Sequence, residues 1–387
     1  MPVSPKDRLL SLDVFRGITI AGMILVNNPG SWSHVYPQLE HAEWHGWTPT
    51  DLIFPFFLFI VGVAMTYSFG RILEAGEKPK GIYRKVMRRT LILFGLGLFL
   101  YLIPSDLPSG YNWFSDTLAK ARIMGVLQRI AVVYFFASLI VLHFKLRAQV
   151  FWGIGLLVFY WLVMKMVPFT VVENGVAVTH AGTLEKEINL AAYLDNLILH
   201  GHTWEVGKFL HRDPEGLLST LPAIVTALLG VFTGYWLRKG KPQYETVAGL
   251  FFAGIGSLLL GSIMDYGFPI NKQIWSPSYV IFMGGMALIF LAMCYYLIDI
   301  KEQKWWIKPL VIFGVNPIAL YVLAETMSRL LILIKAGGTS LQGWIYQNLF
   351  VSWLGDLNGS LGYAIAYVLF WLGVMAIFYK KRIFIKI

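Results

Sequence analysis

The chain has 387 residues, of which 57% are hydrophobic, 16% aromatic and 14% charged, with a formal net charge of +10. A water-soluble domain carries roughly a quarter charged residues; here the apolar ones gather in blocks of the length a helix needs to cross a bilayer core, about 20 residues. Soluble enzymes, disordered chains and coiled coils are excluded, and the expected fold class is all-α, a polytopic membrane bundle forming one domain over residues 1–387. Ten apolar segments are predicted, at 12–28, 52–69, 90–103, 123–142, 150–167, 217–237, 246–263, 278–298, 309–326 and 361–379. Three connections between them are long, at 29–51, 168–216 and 327–360.

The first segment carries Asp13 and Arg16 and has no small-residue cleavage site, so it reads as a retained span rather than a signal peptide. These charges lie three apart and share a helix face. They form either a structural pair near the boundary or a cation that meets a polyanionic ligand from the cytoplasm. The span ends in V-N-N-P-G, where Asn27 and Asn28 either close the helix before Pro29 and Gly30 or orient a carbonyl or amine by hydrogen bond. In the following connection, E-H-A-E-W-H-G-W places His41 and His45 at i and i+4. A metal pair of that spacing needs a continuous helix and a third ligand; Gly46 interrupts the segment, and no metal is expected. His41 is then either a surface histidine or a general base at a cavity mouth, with Trp44 and Trp47 offering faces for a sugar. Asp51 opens the second segment, where a carboxylate suits the positive end of a helix dipole.

Connection 70–89 supplies Arg71, Lys78, Lys80, Arg84, Lys85, Arg88 and Arg89. The fourth segment begins R-I-M-G-V-L-Q-R and brings Arg122, Gln128 and Arg129 close to or into the membrane, the deeper Arg129 requiring a partner. Connection 168–216 ends in H-R-D-P-E-G-L-L-S-T-L-P, where Asp213 before Pro214 matches an N-cap with proline at the first helical position. Two more polar clusters follow, Asn271 with Lys272 in P-I-N-K-Q-I-W-S, and Asn316 with Glu325 in G-V-N-P-I-A-L-Y-V-L-A-E. The single Cys294 sits in an apolar run as a buried thiol. There is no Gly-rich phosphate loop and no G-x-S-x-G elbow.

When alternate connections are assigned to two sides, one side holds 22 Lys and Arg against 7 acidic residues, and the other holds 10 against 15. Basic excess in short loops marks the cytoplasmic side, which places both termini there and explains the net charge without nucleic acid. His34, His41, His45, His180, His200, His202 and His211 fall on the outer side, and only His143 falls inside. The residues alone leave a transporter and an integral-membrane enzyme both open.

Taken together, S-L-D-V-F-R-G, V-N-N-P-G, H-A-E-W-H-G-W, D-L-I-F-P-F-F-L-F-I-V-G, R-I-M-G-V-L-Q-R, D-P-E-G-L-L-S-T-L, N-K-Q-I-W-S and N-P-I-A-L-Y resemble the heparan-α-glucosaminide N-acetyltransferase family, in the family's order. The resemblance implies a compact bacterial member in the inner membrane. Acetyl-CoA would be the cytoplasmic co-substrate, and the acetyl group would pass to the amine of glucosamine or a glucosamine-terminated heparan-type fragment on the periplasmic side. The family's catalytic histidine matches His41 and its active-site asparagine matches Asn27; His45 stands where the family usually has Asn. Candidates for the substrate side are Trp44, Asp51, Arg122, Gln128, Arg129, Asp213 and Asn271; for the CoA phosphates, Arg16, Arg84, Arg88 and Arg89. Direct attack and an acetyl-histidine intermediate both remain open. An O-acyltransferase of another cell-surface glycan and an amino-sugar transporter are the alternatives, membrane lipid is the solvent, and a homodimer is compatible with an enzyme of this size.

Overall fold

The structure, a computed structural model, describes residues 9–74, 81–104, 106–207 and 209–385. All ten apolar segments become helical. The chain runs through α1 (Leu10–Asn27), α2 (Ile53–Glu74), α3 (Gly81–Tyr101), the short α4 (Trp113–Asp116), α5 (Val126–His143) and α6 (Leu146–Met166). After these come α7 (Leu190–Ile198), α8 (Thr220–Leu237), α9 (Gln243–Asp265), α10 (Pro277–Tyr295), α11 (Lys308–Val315), α12 (Pro317–Leu333), α13 (Leu341–Tyr346) and α14 (Ser352–Lys380). Among the described residues, eight helical stretches are long and apolar enough to cross a membrane, and the pair α11–α12 makes a ninth if counted as one. The protein is an all-α, multi-pass membrane protein. α3 falls short of that criterion because its first turns carry Arg84, Lys85, Arg88 and Arg89. Lys78 and Lys80, and the side chain of Arg71, lie outside what the structure describes.

Three expectations need correction. The segment at 309–326 is not one straight span: α11 and α12 meet at 84°. Pro317 cannot donate its nitrogen to a continuing helix, and the Asn316 side chain instead holds the chain's last described residues, donating to the Ile383 carbonyl at 2.9 Å and accepting from the Ile385 N–H at 2.9 Å. Connection 327–360 is mostly helical rather than loop, with only a tight hairpin (Lys335–Ala336 against Thr339–Ser340) between α12 and α13. The sixth span begins at Thr220 behind Ser219, so Asp213 is not its cap.

Close helix contact depends on missing side chains, as expected where lipid offers no hydrophobic drive for association. A Cβ on Gly62 of α2 would stand 1.9 Å from the Ala227 carbonyl oxygen of α8, and one on Gly314 of α11 would stand 2.1 Å from the Asp13 carbonyl oxygen of α1. The core gathers Phe15, Leu58, Phe59, Trp275 and Tyr279, all buried. By contrast, α6 and α9 turn residues such as Phe151 and Phe252 outward, as a lipid-facing surface requires. Connection 168–216 folds over one end of the bundle. It builds a hairpin from β1 (Phe169–Glu173) and β2 (Val176–His180), then α7, then the two-residue pair β3 (Glu205–Val206) and β4 (His211–Arg212). We call this end the far face, and the opposite end the basic face.

Candidate active site at the far face

Residues 41–48 are not helical, and Gly46 takes φ 92° while donating its N–H to the Ile270 carbonyl at 2.7 Å. The i, i+4 spacing therefore does not set His41 and His45 on one helix face. His41 pairs instead with Asp51, its Nδ1 2.7 Å from Oδ1. The other carboxylate oxygen of Asp51 accepts the backbone N–H groups of Ala42 at 3.0 Å and Thr48 at 2.9 Å, and the Tyr279 hydroxyl donates to the Asp51 carbonyl at 2.6 Å. The carboxylate is thus fixed from three directions and only 1% exposed, whereas the His41 side chain is 46% exposed. A carboxylate on Nδ1 selects the tautomer that carries its proton there and leaves the Nε2 lone pair to accept one. Lys272 Nζ lies 3.1 Å from that Nε2. Lys272 is partly buried; burial pulls its ammonium down in pKa, against the pull of Glu215 and Asp51.

Arg122 anchors an adjoining cluster. Its Nε donates to Asp213 Oδ2 at 2.7 Å, its Nη2 to Asp213 Oδ1 at 2.5 Å and to Glu215, and its Nη1 to the Tyr101 hydroxyl at 2.7 Å. The guanidinium also sits 4.9 Å from the Trp204 ring. Burial opposes the charge on Glu215, but Arg122, Lys272 and Arg129 outweigh it and hold the carboxyl below its ordinary range. Lys272 thus meets His41 directly and attracts the Glu215 carboxylate of the Arg122 cluster electrostatically. Asp213 pairs with a cation 91 residues earlier and also accepts the backbone N–H groups of Glu215 at 2.9 Å and Trp204 at 3.1 Å, holding a turn before α8 rather than the helix itself.

Arg129 is fully buried on α5, where its Nη2 donates to the Gly216 carbonyl at 3.0 Å and to Ser219, and its guanidinium lies 5.1 Å from the Trp275 ring. Its Nε and Nη1, and both amide atoms of neighbouring Gln128, have no hydrogen-bond partner among the described residues. Asn271 is buried in the turn before α10, accepting from the Ile274 N–H at 3.1 Å, while its amide lies 3.4 Å from His45 Nδ1. Burial pulls the His45 imidazole down in pKa, against Glu185 and Asp265. The Trp44 indole donates to the Leu184 carbonyl at 2.8 Å and packs on the folded connection. Asn28 closes α1 by donating to the Ile24 carbonyl at 2.8 Å, while Asn27 donates to Glu325 of α12 at 3.4 Å.

The proposed phosphate cations are spread out. Arg16 is held in the α1–α11 seam, donating to Asp13 at 3.3 Å and to the Gly314 carbonyl at 3.2 Å. Arg84 and Arg88 are exposed on α3, and Arg89 turns inward over the Tyr134 ring at 4.5 Å. Sequence reasoning passed over Tyr101 and Glu215. The deep position of Arg122 was the signal for both, since a buried cation requires anionic or dipolar partners.

A family model described as heparan-alpha-glucosaminide N-acetyltransferase, catalytic, matches residues 8–260. Over 367 residues the chain is 30% identical to the heparan-alpha-glucosaminide N-acetyltransferase of Mus musculus, covering 84% of this chain and 54% of that protein. To the protein of the same name from Homo sapiens it is 30% identical over 426 aligned residues, covering 98% of this chain and 60% of that one. The chain thus spans a little over half the length of these relatives.

Proposed function

This chain belongs to the heparan-α-glucosaminide N-acetyltransferase family, and from that premise we propose that it moves the acetyl group of acetyl-CoA to the amine of glucosamine, or of a glucosamine-ended oligosaccharide, across the bacterial inner membrane. The basic face is the cytoplasmic one and the far face the periplasmic one, a reading supported by the charge asymmetry of the connections. The observation that carries the chemistry is the His41–Asp51 hydrogen bond of 2.7 Å beneath a half-exposed imidazole. A carboxylate-oriented histidine of this kind accepts a proton on Nε2 as the amine attacks.

In the proposed step the neutral amine nitrogen forms a bond to the thioester carbonyl carbon, and the carbon–sulfur bond breaks. The proton lost by nitrogen goes to His41 Nε2 and is returned to the departing CoA thiolate. Negative charge develops on the carbonyl oxygen during attack, and the amide of Asn27 is the proposed donor to it. The uncompensated donors of Arg129 and Gln128 offer hydrogen bonds to a polar ligand. Arg84, Arg88, Arg89 and Arg16 are the proposed partners of the CoA phosphates, Arg16 with its Nη1 already donating to Asp13 and the Gly314 carbonyl. The test is mass analysis of the product from acetyl-CoA and glucosamine. N-acetylglucosamine with stoichiometric free CoA is the expected result; unchanged acetyl-CoA alongside sugar uptake into vesicles would favour a transporter.

A further inference from the structure

We propose that Lys272 is a positioning residue for His41, a resident cation against its ring that keeps the imidazole in the neutral, proton-accepting form; this rests on the acetyl-transfer reading above for its purpose, but not for its geometry. The ammonium nitrogen stands 3.1 Å from His41 Nε2 and 3.4 Å from Nδ1, so it lies against the ring near both nitrogens, while Nδ1 meets the Asp51 carboxylate at 2.7 Å. A carboxylate alone favours the imidazolium, which cannot act as a base; a cation against the ring opposes that bias. The charge of Lys272 is attracted by Glu215 and Asp51 and repelled by Arg129 and Arg122. These five groups, from α5 and the segments before α2, α5, α8 and α10, set the field around the ring.

The experiment is a histidine-selective carbon-13 NMR titration of the full chain in detergent, with the His41 signal assigned by its loss in H41Q. In K272M, where Asp51 alone faces the ring, the His41 midpoint should move up by about one pH unit; in K272R it should stay within about 0.3 of the wild-type value. K272Q retains a donor without the charge and should behave as K272M, so the effect is readable even if one variant folds poorly. An unmoved midpoint in both neutral variants would overturn the assignment. Kinetically, K272M should lower kcat about tenfold near pH 6.5 and much less near pH 8.5, with the KM for acetyl-CoA changed less than about twofold. Equal loss at both pH values would indicate a merely structural role. If the wild-type protein transfers no acetyl group, the functional reading fails by itself, while the titration still decides the role of Lys272.

Discussion

At the scale of single residues, the far face is a network in which each charge has been given a reason to be there. His41 is oriented by Asp51, Asp51 by two backbone N–H groups, and Arg122 by Asp213, Glu215 and Tyr101. With His41 as the base, His41→Ala abolishes transfer while acetyl-CoA still binds, as equilibrium binding of the labelled thioester would show; full turnover in that variant contradicts the role. Asp51→Asn keeps the shape but presents a neutral amide to Nδ1, and turnover should fall about 100-fold or more because the tautomer is no longer fixed. His45→Ala should cost much less than either, since His45 meets Asn271 rather than the base. Asn27→Ala is expected to lower kcat by about ten- to a thousandfold; wild-type turnover would leave Asn27 only its bond to Glu325. The residue types of this site could be found in the sequence, but not all their partners. Asp213 before Pro214 holds a local turn through the Glu215 N–H, yet its charge partner is 91 residues away, and no local pattern encodes that distance. The Trp44 indole N–H is engaged by the Leu184 carbonyl, a contact that exists only once connection 168–216 has folded.

At the scale of elements, apolar block length located every crossing helix, because burying backbone polar groups in lipid leaves few other solutions. The break between α11 and α12 was harder to read, since Asn-Pro serves a helix start and a kink equally well. The seam of α1 and α11 should be intolerant of added volume. Gly314→Leu would drive side-chain atoms into the Asp13 backbone and is expected to cost about 1–3 kcal/mol, measured as a lower unfolding midpoint in detergent. A midpoint equal to wild type would show that the two helices separate freely. The cap over the far face carries a pH dependence of its own. Burial raises the Asp195 carboxyl on α7 to about 7. The folded state therefore keeps a proton that the unfolded chain has released between roughly pH 4 and pH 7, and stability falls as the pH rises through that window. Asp195→Asn should narrow the difference between unfolding midpoints at pH 5 and pH 8; an unchanged difference would contradict the titration.

At the scale of the whole molecule, the bundle joins two chemically different ends. One carries exposed Arg84, Lys85 and Arg88, suited to a polyanionic nucleotide; the other carries the histidine, carboxylate and arginine network under a folded cap. That polarity could be foreseen from charge counts and histidine positions, because both follow from composition along the chain rather than from packing. Folding adds the packing of α1 against α2, α10 and α12 and of α2 against α5, with Asp213 and Glu215 of connection 168–216 brought onto Arg122. The proposed reaction would use the membrane as a partition between donor and acceptor. The most direct measurement is release of free CoA by the purified protein in detergent, with acetyl-CoA and glucosamine, beside His41→Ala. The account predicts release that depends on glucosamine and vanishes in the variant. Release that persists undiminished in His41→Ala, or that never appears with any amino sugar, would contradict it.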